Sequence, residues 1–234
     1  MDDAAQEALR RDGDGYFTRN RAGIGTIADP AFEALVTIHE SFPIAALLEV
    51  GCTNGFRLEK ARLAFGSRCV GLEASPAAVD DGHRSYPLIE IESGLAPADL
   101  SRWQGDHFDC IVLGYFTYLL PRSELFALAA AVDGLLADNG HLVVMDFLHP
   151  SPMSSPYAHQ RELTTYKSDP SAPWLWSPTY ALVGREVYSV ADAPEANRDP
   201  RGWSTIDVLR KLPADIAYPA AATLPSVHAG PRST

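Results

Sequence analysis

Leu47-Leu-Glu49-Val-Gly51-Cys-Thr-Asn-Gly55, followed by Phe56-Arg-Leu-Glu-Lys-Ala-Arg-Leu-Ala-Phe65, decides how this chain folds. An apolar run carrying the β-branched Val50 ends in a glutamate and two spaced glycines, and a helix-compatible stretch follows. Strand, tight turn and helix N-terminus form the geometry in which open α/β sheets hold nucleotides. Gly51 and Gly55 let the backbone approach a ligand closely, because no Cβ intervenes. The next apolar run, Cys69-Val-Gly-Leu, ends in Glu73. That is about 20 residues further on, where a carboxylate can hold ribose hydroxyls.

The spacing separates two cofactor classes. A dinucleotide turn reads Gly-x-Gly-x-x-Gly and sets a pyrophosphate on a helix N-terminus. Here the pattern is Glu49-x-Gly51-x-x-x-Gly55. A carboxylate in the turn repels a pyrophosphate but attracts the ammonium of an amino-acid-bearing nucleoside. S-adenosylmethionine, a sulfonium with an amino-acid end, therefore fits better than NAD; an ordinary βα turn of a flavodoxin-like domain is the plainer alternative. At these residues the chain resembles the class I S-adenosylmethionine-dependent methyltransferases. Glu49-Val-Gly-Cys-Thr-Asn-Gly55 is similar to their first motif and Glu73 to their second-strand acid. The resemblance implies an α/β fold: a Rossmann-like sheet, mostly parallel, with an antiparallel C-terminal strand pair and helices on both faces. It implies S-adenosylmethionine as cofactor and S-adenosylhomocysteine as product.

Composition narrows the partners. Nineteen basic against thirty acidic side chains leave a net charge of -11, with no Lys/Arg stripe. Such a field repels nucleic-acid phosphates and anionic membrane surfaces, so a small-molecule substrate is expected. Cys52, Cys69 and Cys110 have no metal-ligand spacing and read as core residues of a cytoplasmic protein. The start, Met1-Asp-Asp-Ala-Ala-Gln-Glu, has no signal-peptide h-region, and no run reaches membrane-spanning length.

One domain over residues 1–234 is expected, with a cap (1–43), a cofactor core (44–148), a substrate loop or lid (149–178), C-terminal strands (179–212) and a tail (213–234). Residues 2–12 suggest a short helix ending before Gly13-Asp-Gly15. Asp29-Pro30 and Ser75-Pro76 read as N-caps followed by proline at the first helical position. Strands are expected at 44–50, 69–72, 88–92, 108–114 and 141–146, then 180–189 and 204–211. Ser123–Ala137 reads as a helix stopped by Asp138-Asn-Gly140.

Candidate site residues follow the strand ends. Glu49, Gly51, Cys52 and Gly55 follow the first strand, Glu73 and Ala74 the second, Leu95 and Ala96 the third, Gly114 and Tyr115 the fourth. Many relatives carry an acid where Leu95 stands, so the adenine is expected to meet backbone groups and the Leu95 side chain instead. Tyr16 and Arg21, in Tyr16-Phe-Thr-Arg-Asn-Arg21, resemble a segment that covers the cofactor, with Arg19 or Arg21 facing the methionine carboxylate. Residues 149–178 hold six prolines, two histidines, Tyr157, Tyr166, Trp174 and Trp176. These aromatics are candidate substrate walls; a surface loop or a homodimer contact is the alternative use. Where the acceptor must lose a proton, His149 and His159 are the first candidates for the base and Tyr115 a further one.

Two weaker matches narrow the clade. Thr165-Tyr-Lys-Ser-Asp-Pro170 and Val208-Leu-Arg-Lys211 resemble stretches of methyltransferases from polysaccharide and natural-product biosynthesis. Methyl transfer to O, N or C of a small biosynthetic metabolite is the expected activity. The competing readings are a non-methylating reaction that uses the cofactor's charge, and a non-catalytic cofactor-binding accessory protein.

Overall fold

A seven-stranded sheet organises the chain, and each strand end beside its centre carries a residue of the cavity described below. The computed structural model describes residues 1–26, 29–189 and 199–220. Two helices come first, α1 (Asp3–Asn20) and α2 (Pro30–Ser41). Then β1 (Ala46–Val50), α3 (Phe56–Phe65), β2 (Arg68–Glu73), α4 (Pro76–Ser85), β3 (Glu90–Ser93) and β4 (Phe108–Gly114) alternate. They are followed by α5 (Leu125–Leu135), β5 (Leu136–Phe147), β6 (Met153–Pro156), β7 (Thr164–Lys167) and the single turn α6 (Ala172–Leu175). Finally come β8 (Tyr180–Ser189), β9 (Trp203–Lys211) and α7 (Ala214–Ala217). Among the described residues, no helix is long and apolar enough to cross a membrane.

The sheet order is β3-β2-β1-β4-β5-β9-β8. Strands β1 to β5 run parallel, and β9 is antiparallel to both β5 and β8. This is the mostly parallel sheet with an antiparallel end pair that the resemblance implied. The chain moves outward in opposite directions from β1 and β4, and there an open α/β sheet leaves its crevice. Side-chain alternation builds a core on each face. Leu48, Ile111, Leu113 and Val144 pack on one side with Leu128 and Val132 of α5. Leu47, Cys110, Val112 and Val143 pack on the other with Leu35 of α2 and Leu58 of α3. All three cysteines are buried and unpaired.

Several expectations need correction. α1 does not stop at Gly13 but runs through it to Asn20. Gly13 marks a close approach: a Cβ there would stand 3.2 Å from the Ser75 backbone nitrogen. Asp14 reinforces the contact by accepting from the Ser75 hydroxyl at 2.5 Å. Asp138-Asn-Gly140 is not a helix stop either. α5 ends at Leu135, β5 starts at Leu136 beside Phe108, and Asn139 takes a φ of 64° in a kink of that strand. Within residues 149–178, expected as a substrate loop or lid, β6 and β7 pair as an antiparallel hairpin. The hairpin is anchored, because Tyr166 donates its amide to the Tyr118 carbonyl at 2.7 Å. The tail expected from residue 213 contains α7, and residues 221–234 lie outside the described residues.

Candidate active site

Gly51 and Gly114 meet where the strand order reverses. Gly51 has a φ of +77°, and a Cβ on it would lie 2.7 Å from the Gly114 carbonyl oxygen. Only glycine allows both that conformation and that approach. Above this seam opens a cavity of about 570 Å3, within the range of about 300–1,000 Å3 common for small-molecule sites. α1 roofs it through Leu9, Asp12, Tyr16 and Phe17; Glu49, Gly51, Glu73, Ala74, Leu95, Ala96, Gly114 and Tyr115 form its floor and rim.

Two carboxylates face the cavity from neighbouring strands, in different states. Glu73 is buried, with its Oε2 accepting the Thr53 amide and its Oε1 the Ser75 amide, both at 2.8 Å. Burial nonetheless lifts its carboxyl to about 7, against the pull of those amides. Glu49 is paired through Oε1 with Nη1 of Arg57, whose Nε reaches Asp29 at 2.9 Å. Burial pushes the Glu49 carboxyl up, and Arg57 opposes the shift. Its other oxygen, Oε2, is buried with no hydrogen-bond partner. A buried acceptor left unmade costs roughly 1–3 kcal/mol, so this atom is set to receive a donor.

Arg57 and Asp29 were not anticipated from the sequence. An arginine in the first turn of a helix with mixed polar and apolar residues reads as a surface residue, and Asp29 reads only as a cap. Asp29 does cap α2, accepting from the Phe32 amide at 3.2 Å, while binding Arg57. Tyr118, Phe147 and Tyr188 also line the cavity. Tyr188 was hidden by its distance in sequence, yet its hydroxyl lies 2.7 Å from that of Tyr115. A period-2 reading of β8 could have placed it on a facing side.

Other candidates stand outside the cavity lining. Arg21 points to Asp81, with 2.5 Å between Nη2 and Oδ1. Cys52 fills the space beside Gly71, where a Cβ would stand 2.5 Å from its sulfur. Gly55 caps α3 with a φ of 76°, and a side chain there would strike Ile89 and Ile91. His149 turns to the Ser151 backbone, and His159 is exposed beside the Tyr157 ring. Trp174 is buried in the core with Leu128 and Leu209 rather than in a substrate wall. Trp176 is exposed against Phe126 of α5, and Tyr166 stacks under Arg122 in a separate small pocket. Tyr157 is buried against Tyr118, one layer behind the lining.

No protein-family model and no curated protein matches the sequence. Solved structures match the fold over most of the chain. The 1,6-didemethyltoxoflavin-N1-methyltransferase of Burkholderia thailandensis, with bound 1,6-didemethyltoxoflavin and S-adenosylhomocysteine, is 17% identical with a TM-score of 0.64, covering 88% of each chain. The geranyl diphosphate C-methyltransferase of Streptomyces coelicolor A3(2) is 14% identical with a TM-score of 0.63, covering 89% of this chain and 98% of that one. The N-methyltransferase NodS of Bradyrhizobium japonicum WM9 is 19% identical with a TM-score of 0.55, covering 78% and 86%. The chain has the fold of the S-adenosylmethionine-dependent small-molecule methyltransferases.

Proposed function

We propose that the protein transfers a methyl group from S-adenosylmethionine to O, N or C of a small metabolite. The observation that carries this is the pair of carboxylates, Glu49 and Glu73, opening on one cavity at the ends of adjacent parallel strands. The residues present fit the cofactor: an orphaned buried oxygen on Glu49 suits an ammonium, and the bare Gly51 turn admits a close-lying ligand. Neighbours of the same fold are named as N- and C-methyltransferases and were solved with S-adenosylhomocysteine.

In this reading Glu49 Oε2 accepts from the methionine ammonium, and Arg57, not Arg21, faces the methionine carboxylate. Glu73 accepts from the ribose hydroxyls, while Ala74, Leu95 and Ala96 enclose the adenine. Tyr16 and Phe17 on α1 cover the site and keep water out. When bound, the cofactor supplies an electrophilic methyl group on a sulfonium. The chain's contribution is chiefly alignment, holding acceptor and methyl donor in line within one cavity. Natural-product biosynthesis is the setting that fits a mostly apolar cavity with an aromatic side beyond the groups assigned to the cofactor.

A crystal structure of the complex with S-adenosylhomocysteine tests the assignment. The expected result has the ribose on Glu73 and the adenine beside Leu95. A ligand that leaves both carboxylates untouched overturns it.

A further inference from the structure

The cavity has two chemically distinct halves. Over β1, β2 and β3 it presents Glu49, Glu73 and Leu95, the groups assigned above to the cofactor. Over β4, β5 and β8 it presents Tyr115, Tyr118, Phe147 and Tyr188, an aromatic surround. Phe147 is the hub of this half, with the rings of Tyr118 and Tyr115 edge-on to it at 4.9 and 5.5 Å.

Among the described lining residues one acid borders the aromatic half: Asp12, from the middle of α1, whose carboxyl contacts Tyr157 behind Tyr118. The other lining acids are Glu49, Glu73 and Asp29, and Asp29 is bound to Arg57. Asp12 is 6% exposed. Its neighbours are the hydroxyl of Tyr157, which in turn meets Tyr118, and the more distant charge of His159. Its nearest cation is Arg19 at 3.7 Å, on a side chain 38% exposed to water. A carboxylate this deep is costly without a close counter-charge, and the half-exposed Arg19 at that distance offsets the cost only in part. Burial accordingly pushes the Asp12 carboxyl up.

We propose that the methyl acceptor is an amine, held by the Asp12 carboxylate within the aromatic half of the cavity. This rests on the methyl-transfer reading and specifies its acceptor. An ammonium suits both features of the place, since aromatic faces attract cations and the buried carboxylate has a hydroxyl partner but no counter-charge closer than 3.7 Å. The chemistry agrees. An ammonium has no lone pair; Asp12 takes one N–H proton, which leaves a neutral amine beside a neutral carboxyl. The amine lone pair then forms the new N–C bond while the carbon–sulfur electron pair stays with sulfur, and the product leaves as a substituted ammonium. Asp12 later returns its proton to water. An alcohol acceptor would need a far stronger base, and no histidine or lysine lines this half among the described residues.

The test uses the protein saturated with S-adenosylhomocysteine and two probes of one shape, 2-phenylethylamine and 2-phenylethanol, titrated by NMR. The wild type should bind the amine roughly tenfold or more tightly than the alcohol, as expected for a charge-assisted contact. Asp12→Asn should remove that preference while S-adenosylhomocysteine still binds. Glu7→Gln, an exposed acid on the same helix, should keep it. Tyr157→Phe, which retains the charge, gives an intermediate preference and serves if Asp12→Asn fails to fold. Equal affinity for the two probes, a preference surviving Asp12→Asn, or tighter binding of 4-methylphenol than of the amine overturns the proposal alone. Failure of the wild type to bind S-adenosylhomocysteine overturns the methyl-transfer reading, and this proposal with it.

Discussion

Glu73 Oε2 accepts the backbone amide of Thr53 at 2.8 Å, tying the end of β2 to the turn that follows β1. Through its other oxygen the same carboxylate holds the Ser75 amide at the start of α4. One side chain thus fixes two of the loops that frame the cavity, and it is also the group assigned to the ribose.

That double role gives a pH dependence of definite sign. Glu73 is raised from 4.5 to about 7 by burial. Within that window the folded chain keeps a proton that the unfolded chain has released. Its contribution to the ligand-free protein's stability is therefore full at low pH and is lost as pH rises through about 7. Ligand affinity moves the other way, because ribose hydroxyls donate to the carboxylate and not to its acid form. Calorimetry should show S-adenosylhomocysteine binding more tightly at pH 8 than at pH 6, with proton release at the lower pH; a flat or falling profile contradicts this.

Removing the guanidinium from the Asp29–Arg57–Glu49 cluster should be severe. Arg57→Leu leaves the buried Glu49 without a counter-charge and Asp29 with only Lys60 at 3.8 Å, a loss of roughly 3–5 kcal/mol. Urea denaturation measures it. A change below about 1 kcal/mol, the worth of a surface ion pair, would mean that the cluster is solvated in solution.

Gly51→Ala should act on both stability and binding. The new Cβ must sit at a φ of +77° and 2.7 Å from the Gly114 carbonyl. Strain of this kind costs about 1–3 kcal/mol. A lowered melting temperature together with weakened S-adenosylhomocysteine binding is expected, and an unchanged protein would show that the β1–β4 seam is looser than described.

Legibility in the sequence followed locality. β4 is legible to the residue because a strand buried on both faces is nearly all apolar, broken here only by Asp109. Asp29-Pro30 and Ser75-Pro76 announced α2 and α4, since cap and proline act within one turn. Glu49, Gly51 and Glu73 are legible as cavity-lining residues because strand ends converge in this topology. What escaped depended on tertiary neighbours. Gly13 reads as a breaker until Ser75 is seen against it, and Arg57 as surface until Asp29 and Glu49 enclose it. Asp12 lies on a polar helix whose acids look solvated, and the β6–β7 hairpin has too little alternation to stand out among prolines. His149, Trp174 and Trp176 stand out in the sequence by residue type and by following the fifth strand, and in the structure they lie outside the cavity lining.

Titrating S-adenosylhomocysteine into the wild type and into Glu73→Gln by calorimetry tests the central assignment most directly. One molecule bound per wild-type chain is predicted, with affinity reduced roughly 10–100-fold in the variant, the loss expected for a hydrogen bond to a charged group. No binding to the wild type, or equal affinity in both proteins, would contradict it.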